Sequence, residues 1–262
     1  MKVVILCGGY GTRIRDVSDN IPKPMINVGQ YPILWHIMKY YAHWGYNEFI
    51  LCLGFKGHVI KNFFLNYEAN TNDFTVTLGT NKSIVYHNEH GEANWKITLA
   101  ETGHHSMTGA RLKRVKKYLA GEEDFMLTYG DGVGDIDINK LIAFHRSHGK
   151  IMTVTGVRPP GRFGELMIDD TAMATEFNEK PQTTGGLISG GFFVCRKEIF
   201  DYIDDGDDVV LEQKPIRTLV SKGQMMVHCH EGFWQPMDTS RDYQLLNDLC
   251  TASTAPWMVW DR

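Results

Sequence analysis

The chain alternates between apolar runs of four to eight residues and segments in which apolar residues recur every three or four positions. Short apolar runs are typical of strands covered on both faces, whereas the longer spacing is typical of helices that pack on a sheet. Strands are predicted over residues 2–7, 48–53, 74–78, 82–87, 95–100, 125–129, 151–157, 190–195 and 225–230. Helices are predicted over residues 33–42, 58–67, 109–119, 138–148, 197–203, 209–222 and 239–250.

The order of these elements indicates the fold class. Strands and helices alternate through the first two thirds of the chain, which favours an α/β fold with a mainly parallel sheet flanked by helices. Residues 95–100 alternate apolar and polar side chains, so this strand is expected to be half exposed. Without a repeat or a linker in the sequence, we expect one Rossmann-like domain over residues 1–262, with a small β-rich appendage.

Composition narrows the class of partner. The 262 residues are 43% hydrophobic, and 27 basic against 31 acidic residues give a net charge of −4. This balance does not favour nucleic acid or an anionic membrane, so a charged ligand must be held by local groups. No run approaches the roughly 18 apolar residues of a membrane span. The five scattered cysteines are expected to be reduced core residues of a cytoplasmic protein.

The first candidate site follows the first strand. Leu6 leads into a glycine loop, residues 8–13, whose backbone N–H groups can approach phosphate oxygens closely. Thr12 adds a hydroxyl donor, and Arg13 offers a planar fork to two oxygens. The spacing is neither that of a P-loop nor that of the dinucleotide fingerprint. A tight turn with a surface arginine is the alternative. Lys23, held between two prolines, supplies a second fixed cation.

These residues and seven later stretches resemble the sugar-1-phosphate nucleotidylyltransferases, also called nucleotide-sugar pyrophosphorylases. The stretches occur in the family's order along nearly the whole chain, and they are residues 32–38, 106–114, 128–132, 159–164, 179–181, 190–194 and 233–239. The resemblance is strongest to the branch that joins CTP to glucose 1-phosphate. It implies that CTP and a sugar 1-phosphate are the substrates, Mg²⁺ is the cofactor, and the protein is a homo-oligomer.

The second candidate site is a pair of carboxylates. Asp131 follows an apolar strand, and ligands of open α/β sheets bind outside the carboxyl ends of strands. A carboxylate there can hold Mg²⁺ together with substrate phosphates, although Asp131-Gly132 also fits a simple turn. The resemblance implies that Asp238 is the second metal-binding carboxylate. Asp135 and Asp137 are nearby competitors, and Asp137 is more simply explained as a helix N-cap.

The sugar phosphate site is implied by the resemblance alone. In the family, the residue at Lys180 meets the phosphate and the residue at Glu179 accepts hydrogen bonds from sugar hydroxyls. Without the family, Glu179 and Lys180 indicate only a charged turn. Gly164, Ser189 and Gly190 complete this predicted site. Relatives usually carry asparagine at position 189, so the sugar is the least certain substrate. Gly190 and Gly191 also indicate close approach by a ligand or another backbone.

The nucleotide site is predicted to include the residues Leu6, Gly8, Gly9, Gly11, Thr12, Arg13, Lys23, Thr108, Gly109, Arg111 and Tyr129. Residues 108–111 resemble the CTP-using version of the base-reading segment. Arg111 could donate to O2 and N3 of cytosine, a pattern that uracil does not offer. The alternative is a solvated basic helix face, because five cations lie within residues 111–117.

The resemblance implies in-line attack of the sugar phosphate on the α-phosphorus, with Arg13, Lys23, Asp131 and Lys180 as the catalytic residues. Such chemistry needs positioning and charge neutralisation more than covalent help. Transfer to a different phosphate, use of another nucleotide and a silent nucleotide-binding subunit remain alternatives. Hydrolase and zinc readings are disfavoured, because there is no G-x-S-x-G elbow and His228 and His230 lack a matching ligand set.

Overall fold

The computed structural model of the protein describes residues 1–10, 21–80, 82–88, 90–159, 165–168, 173–178 and 186–261. Its strands in chain order are β1 (Val3–Leu6), β2 (Asn27–Val28), β3 (Tyr31–Pro32), β4 (Glu48–Leu53), β5 (Phe74–Thr77), β6 (Ser83–Tyr86), β7 (Lys96–Glu101), β8 (Asp124–Tyr129), β9 (Gly132–Gly134), β10 (Met152–Val157), β11 (Glu165–Ile168), β12 (Ala174–Asn178), β13 (Ile188–Arg196), β14 (Met225–His230) and β15 (Trp234–Pro236). Its α-helices are α1 (Ile33–His43), α2 (Gly57–Leu65), α3 (Tyr67–Thr71), α4 (Thr108–Val115), α5 (Ile138–His148), α6 (Lys214–Ser221) and α7 (Ser240–Thr251).

Seven of these strands form the central sheet, in the order β14-β10-β13-β8-β1-β4-β7. Every neighbouring pair is parallel except the two pairs that contain β13, which runs antiparallel to β8 and β10. The prediction of a mainly parallel α/β sheet is therefore confirmed. The six parallel strands all end at one edge of the sheet, and the first residues of β13 lie at the same edge.

Helices cover both faces of the sheet because successive strand side chains point to opposite sides. On one face, α1, α5 and α7 pack on side chains such as Ile5 and Met126. On the other face, α4 and α6 pack on Val4 and Leu127. The fully buried Trp257 extends the first of these two cores. Among the described helices, none is long and apolar enough to cross a membrane.

Four two-stranded pairs lie outside the central sheet: β2-β3, β5-β6, β9-β15 and β11-β12. The β5-β6 hairpin matches the predicted strands at 74–78 and 82–87, and all of its residues are exposed. The three-residue strand β9 was not predicted, because so short a run carries no periodic signal, whereas the end of a strand was expected over residues 234–238, where β15 lies. Strand β7 lies at the sheet edge with three residues of intermediate exposure, in agreement with the predicted half-exposed strand.

Several predicted helix bounds were wrong. The helix predicted over 209–222 begins only at Lys214, where Pro215 occupies the first turn. Residues 197–202 form a 3₁₀ helix rather than an α-helix, and the helix predicted over 58–67 is divided at Asn66 into α2 and α3. The helix predicted over 109–119 changes to a 3₁₀ helix at Lys116. The N-cap assignment of Asp137 is confirmed, because its side chain accepts from the N–H of Lys140.

Candidate active site

A cavity of about 420 Å³ opens at the sheet edge where β1 and β8 end, beside the first turn of α4. Its lining includes nine residues that the sequence singled out: Leu6, Gly8, Gly9, Lys23, Thr108, Arg111, Tyr129, Asp131 and Asp238. Segments far apart in the chain therefore meet around one space. This is the position that the fold class predicts for a ligand.

Some of the other predicted site residues lie in the described part of the chain, and the rest lie outside it. Gly109 lies one residue inside α4, and its N–H donates to the carbonyl of Val209 over 2.9 Å. Ser189 and Gly190 lie at the start of β13, beside the end of β10. The predicted residues outside the described part of the chain are Gly11, Thr12, Arg13, Gly164, Glu179 and Lys180.

Lys23 lies in a 3₁₀ turn whose conformation is set by its proline neighbours. Its Nζ donates to Oδ2 of Asp131 over 2.7 Å and to Oδ1 of Asp238 over 2.5 Å. The side chain of Lys23 is 10% exposed, against 32% for Asp131. Burial by itself would lower the pKa of Lys23, but the charges and hydrogen bonds of the two carboxylates outweigh it and raise that pKa.

The two carboxylates meet because β9 and β15 form an antiparallel ribbon. Asp131 directly precedes β9, and Asp238 is the second residue after the end of β15. The register pairs Pro236 with Gly132, and the N–H of Met237 donates to the carbonyl of Asp131 over 2.8 Å. Antiparallel pairing thus brings the start of one strand to the end of the other, which places both side chains at one end of the cavity.

Asp242 holds the Asp238 peptide in place. Its Oδ2 accepts from the N–H groups of Asp238 and Thr239 over 3.0 and 2.8 Å, and its Oδ1 accepts from buried Gln235 over 2.9 Å. Thr239 and Asp242 also form a capping box at the start of α7. The sequence analysis missed Asp242, although the threonine and acidic residue three positions apart could have indicated it.

The two carboxylates at this end of the cavity suit a hard divalent cation whose remaining ligands come from elsewhere. Among the described residues, no three His, Cys, Asp or Glu side chains converge to hold a metal ion. Mg²⁺, however, binds through one or two carboxylates and fills its remaining positions with substrate phosphates and water. Asp131 and Asp238 fit that requirement, and the ammonium of Lys23 between them shows that a cation is stabilised there.

Arg111 lines the cavity but is only 4% exposed. Its guanidinium donates to the carbonyls of Leu53, Gly103 and Gly8 and to the hydroxyl of Thr102, over 2.8 to 3.0 Å. It thereby ties together the segments that follow β1, β4 and β7. Arg111 is consequently not on a solvated basic face, and most of its donors have protein acceptors. A contact with cytosine stays a prediction.

The packing of Arg111 explains two glycines. A Cβ atom on Gly8 or on Gly54 would overlap the guanidinium group, so a side chain at either position would have to displace Arg111 from its hydrogen bonds. Gly9, in contrast, faces open space. The glycine at position 8 is thus required by an internal contact as well as by any approach of a phosphate.

The first turn of α4 is closed by the segment that precedes α6. The carbonyl of Val209 accepts from the N–H groups of Gly109 and Ala110, over 2.9 and 3.1 Å. The N–H of Met107 donates to the carbonyl of Asp207 over 2.8 Å. Since these N–H groups already have partners, this helix terminus is not free to bind phosphate. The prediction of phosphate binding therefore falls on the glycine loop and Lys23.

The sequence analysis missed one further feature of the cavity and recognised another only in part. At its rim, the hydroxyl of Tyr10 lies 2.6 Å from Nδ1 of His105, so the glycine loop directly contacts the segment that precedes α4. On the opposite side, Gly191 has φ +75°, and a Cβ there would lie 2.5 Å from Cδ2 of Tyr129. The predicted close approach of another backbone is confirmed at Gly190, where a Cβ would lie 3.1 Å from the carbonyl oxygen of Thr155, but not at Gly191. At Gly191, the close contact is with the aromatic ring of Tyr129 in the cavity wall.

Residues 2–247 match the family model described as nucleotidyl transferase. The glucose-1-phosphate cytidylyltransferases of Salmonella typhi and of Salmonella typhimurium (strain LT2) are each 47% identical to this chain over 261 residues, which covers 100% of both proteins in each comparison. The crystal structure of HddC from Yersinia pseudotuberculosis, complexed with GMP-PN, matches with a TM-score of 0.66 at 23% identity. That match covers 94% of this chain and 98% of HddC, and it shows the fold alone.

Proposed function

This chain belongs to the nucleotidyl transferase family, and from that membership we propose how its site transfers a cytidylyl group from CTP to α-D-glucose 1-phosphate. The enzyme forms CDP-glucose and pyrophosphate. Full-length identity of 47% to two glucose-1-phosphate cytidylyltransferases supports both substrates. The single observation that carries the site assignment is the convergence of Lys23, Asp131 and Asp238 at one end of the cavity.

The reaction makes one P–O bond and breaks another. An oxygen of the sugar phosphate attacks the α-phosphorus of CTP in line, and the bond to pyrophosphate breaks. No general base is required, because a phosphate monoester is already ionised at neutral pH. The protein therefore contributes positioning and charge neutralisation.

Each basic side chain is assigned to one of the reacting phosphate groups. Lys23 neutralises the charge that grows on the α-phosphate, and the two carboxylates that now hold it are exchanged for phosphate oxygens. Arg13 stabilises the departing pyrophosphate, and Lys180 orients the attacking phosphate. Arg13 and Lys180 lie outside the described residues, so their roles rest on the family pattern.

Nucleotidyl transferases generally use a divalent metal. In this chain, we assign that metal as Mg²⁺, with Asp131 and Asp238 as the residues that would hold it. When bound, it supplies charge neutralisation to nucleotide oxygens. Asp242 keeps the backbone of Asp238 fixed while this happens.

The remaining predicted contacts complete the proposal. The nucleotide is held by the glycine loop and by the cavity wall at Leu6, Thr108, Arg111 and Tyr129, with Gly109 next to Thr108 in α4. The sugar phosphate is held by Gly164, Glu179, Lys180, Ser189 and Gly190. Both sets follow from the sequence and the family resemblance.

A substrate panel tests this assignment. Purified protein is incubated with each of CTP, UTP, GTP, ATP and dTTP against glucose 1-phosphate and other sugar 1-phosphates, with and without Mg²⁺, and released pyrophosphate is measured. We expect release with CTP and glucose 1-phosphate only when the metal is present. Release confined to another nucleotide would contradict the cytidylyl assignment, and no release in any mixture would favour a silent nucleotide-binding subunit.

Copies of this chain are also proposed to associate through the β5-β6 hairpin. Its exposed apolar side chains include Phe74 at 41%, Val76 at 43% and Ile84 at 53%, which share one face of the ribbon, where Val76 pairs with Ile84. An isolated two-stranded hairpin is marginally stable in water, and a clustered apolar surface marks a contact site. Light scattering of wild-type protein and of Ile84→Lys checks this, since the variant should shift to a smaller species. A cytoplasmic location stays a prediction from the cysteines.

A further inference from the structure

Glu212 joins two hydroxyl groups that line the cavity from different elements. Tyr129 is the last residue of β8, and Thr108 is the first residue of α4. The hydroxyl of Thr108 donates to Oε2 of Glu212 over 2.6 Å, and the hydroxyl of Tyr129 donates to Oε1 of the same carboxylate. One side chain from the segment before α6 thus braces two walls of the cavity.

This carboxylate fixes the direction of both hydroxyl groups. A carboxylate oxygen only accepts, so each hydroxyl must direct its single proton toward Glu212. The Thr108 oxygen also accepts from the N–H of Leu211 over 2.9 Å, which leaves it one lone pair. The Tyr129 oxygen likewise has no second proton to offer. Toward a ligand, both oxygens therefore act only as hydrogen-bond acceptors.

The phenol ring of Tyr129 is held at both ends. Its edge lies against Gly191, where no side chain would fit, and its hydroxyl is held by Glu212. Neither the position of the ring nor the direction of its hydroxyl is therefore left to the ligand.

We propose that Glu212 is a positioning residue that makes this part of the cavity select ligand groups that donate hydrogen bonds. This inference rests on the proposed function. The proposed substrates, CTP and glucose 1-phosphate, carry hydrogen-bond donors in two places. One is the exocyclic amino group of cytosine, and the other is the hydroxyls of ribose or glucose. Uracil has a carbonyl oxygen where cytosine has the amino group, and two acceptors facing each other leave both unsatisfied.

The test exchanges the carboxylate for an amide. In Glu212→Gln, the amide nitrogen must face one of the two hydroxyls, which then turns its proton toward the cavity. If the amino group of cytosine is the donor, the CTP to UTP ratio of kcat/KM should fall about 5- to 10-fold. If a hydroxyl is the donor, the ratio of CTP to dCTP, or of glucose 1-phosphate to its deoxy analogues, should fall instead.

Two more variants keep the result decisive. Tyr129→Phe removes one acceptor while leaving Glu212 in place, and it should lower the same ratio even if Glu212→Gln folds poorly. Asp205→Asn is the matched control, because it removes the same charge from a neighbouring side chain that is 95% exposed. Its ratios should equal those of the wild type.

The inference is overturned if Glu212→Gln and Tyr129→Phe are folded by thermal melting and keep every ratio within about twofold of wild type. It is also overturned if Tyr129→Phe alone is folded and leaves every ratio unchanged. Failure of the wild type to use CTP contradicts the proposed function instead, so the two failures are distinguishable.

Discussion

Nζ of Lys23 lies 2.7 Å from Oδ2 of Asp131, so the chain's own cation neutralises a carboxylate assigned to the metal. The same ammonium contacts Asp238 over 2.5 Å. Lys23 and a divalent cation cannot both occupy the space between these carboxylates. If these carboxylates hold the metal as proposed, its binding would displace Lys23, which would then be available to a phosphate.

Because Lys23 competes with the metal for the same carboxylates, removing the charge of Lys23 is predicted to raise the affinity for a divalent cation. In Lys23→Met, the free enzyme should bind Mn²⁺ more tightly than the wild type does, because the competing ammonium is gone. Electron paramagnetic resonance titration of Mn²⁺ measures this without turnover. Lys214→Met is the control, since it removes a solvent-exposed lysine that pairs with Asp204. Equal or weaker Mn²⁺ binding in Lys23→Met would contradict the competition.

The same residue is predicted to matter for chemistry. If Lys23 stabilises charge that grows on the α-phosphate, Lys23→Ala should lose roughly 2–4 kcal/mol of transition-state stabilisation, mostly in kcat. Steady-state kinetics with CTP and glucose 1-phosphate measure the change. A loss confined to the KM for CTP would mean uniform binding and would remove the catalytic role.

The carboxylates should act through the metal rather than through packing. Asp131→Asn and Asp238→Asn should each lower turnover sharply at limiting Mg²⁺ while the melting temperature changes little. Asp242→Ala should raise the Mg²⁺ concentration needed for half-maximal turnover, because the Asp238 peptide loses its acceptor. Asp248→Ala, an exposed position on the same helix, controls for charge. Full activity of both asparagine variants at limiting Mg²⁺ would remove these residues from the metal site.

Arg111 should affect both stability and base preference. Arg111→Ala leaves three carbonyls and one hydroxyl without their donor, so we expect a loss of roughly 2–4 kcal/mol in the free energy of unfolding. If the residue also contacts cytosine, activity with CTP should fall more than activity with UTP. Urea unfolding and kcat/KM for both nucleotides separate the two effects. An unchanged nucleotide ratio with reduced stability would leave Arg111 a purely positioning residue.

His36 should make stability depend on pH. Burial lowers its pKa to about 4, and its ring is satisfied only when neutral, with Nε2 donating to Val28 and Nδ1 accepting from Trp257. Its pKa in the unfolded chain is about 6.5, so its contribution is intact above that pH and is lost as pH falls toward 4. The unfolding free energy should drop by roughly 2–4 kcal/mol across this range from this residue.

Urea unfolding at several pH values between 7 and 4 checks this dependence. His36→Gln should flatten the decline, while His43→Gln, exposed on the same helix, should leave it unchanged. Some slope should persist in both variants, because burial lowers the pKa of His145 to about 4 as well. Equal slopes in His36→Gln and wild type would show that His36 is not the responsible group.

The sequence by itself determined the α/β class, because periodicity is a local property. Runs such as residues 48–53 are apolar on both faces only if a sheet is covered on both sides, and β4 has that burial. The motifs at Lys23 and Asp131 were equally visible as short stretches next to an element, and the resemblance to the family added Asp238. Local patterns therefore fixed which residues were candidates.

Only the tertiary structure decided how those candidates act on one another. Asp238 meets Asp131 through a ribbon of two three-residue strands, and nothing in either strand's sequence specifies the partner. Glu212 lies 83 residues from Tyr129 along the chain, yet it orients its hydroxyl. For Arg111 the sequence left open a contact with the base or a solvated basic face, and the structure buries it among backbone carbonyls. Such contacts depend on strand order and register, which are set by long-range packing, so no window of sequence contains them.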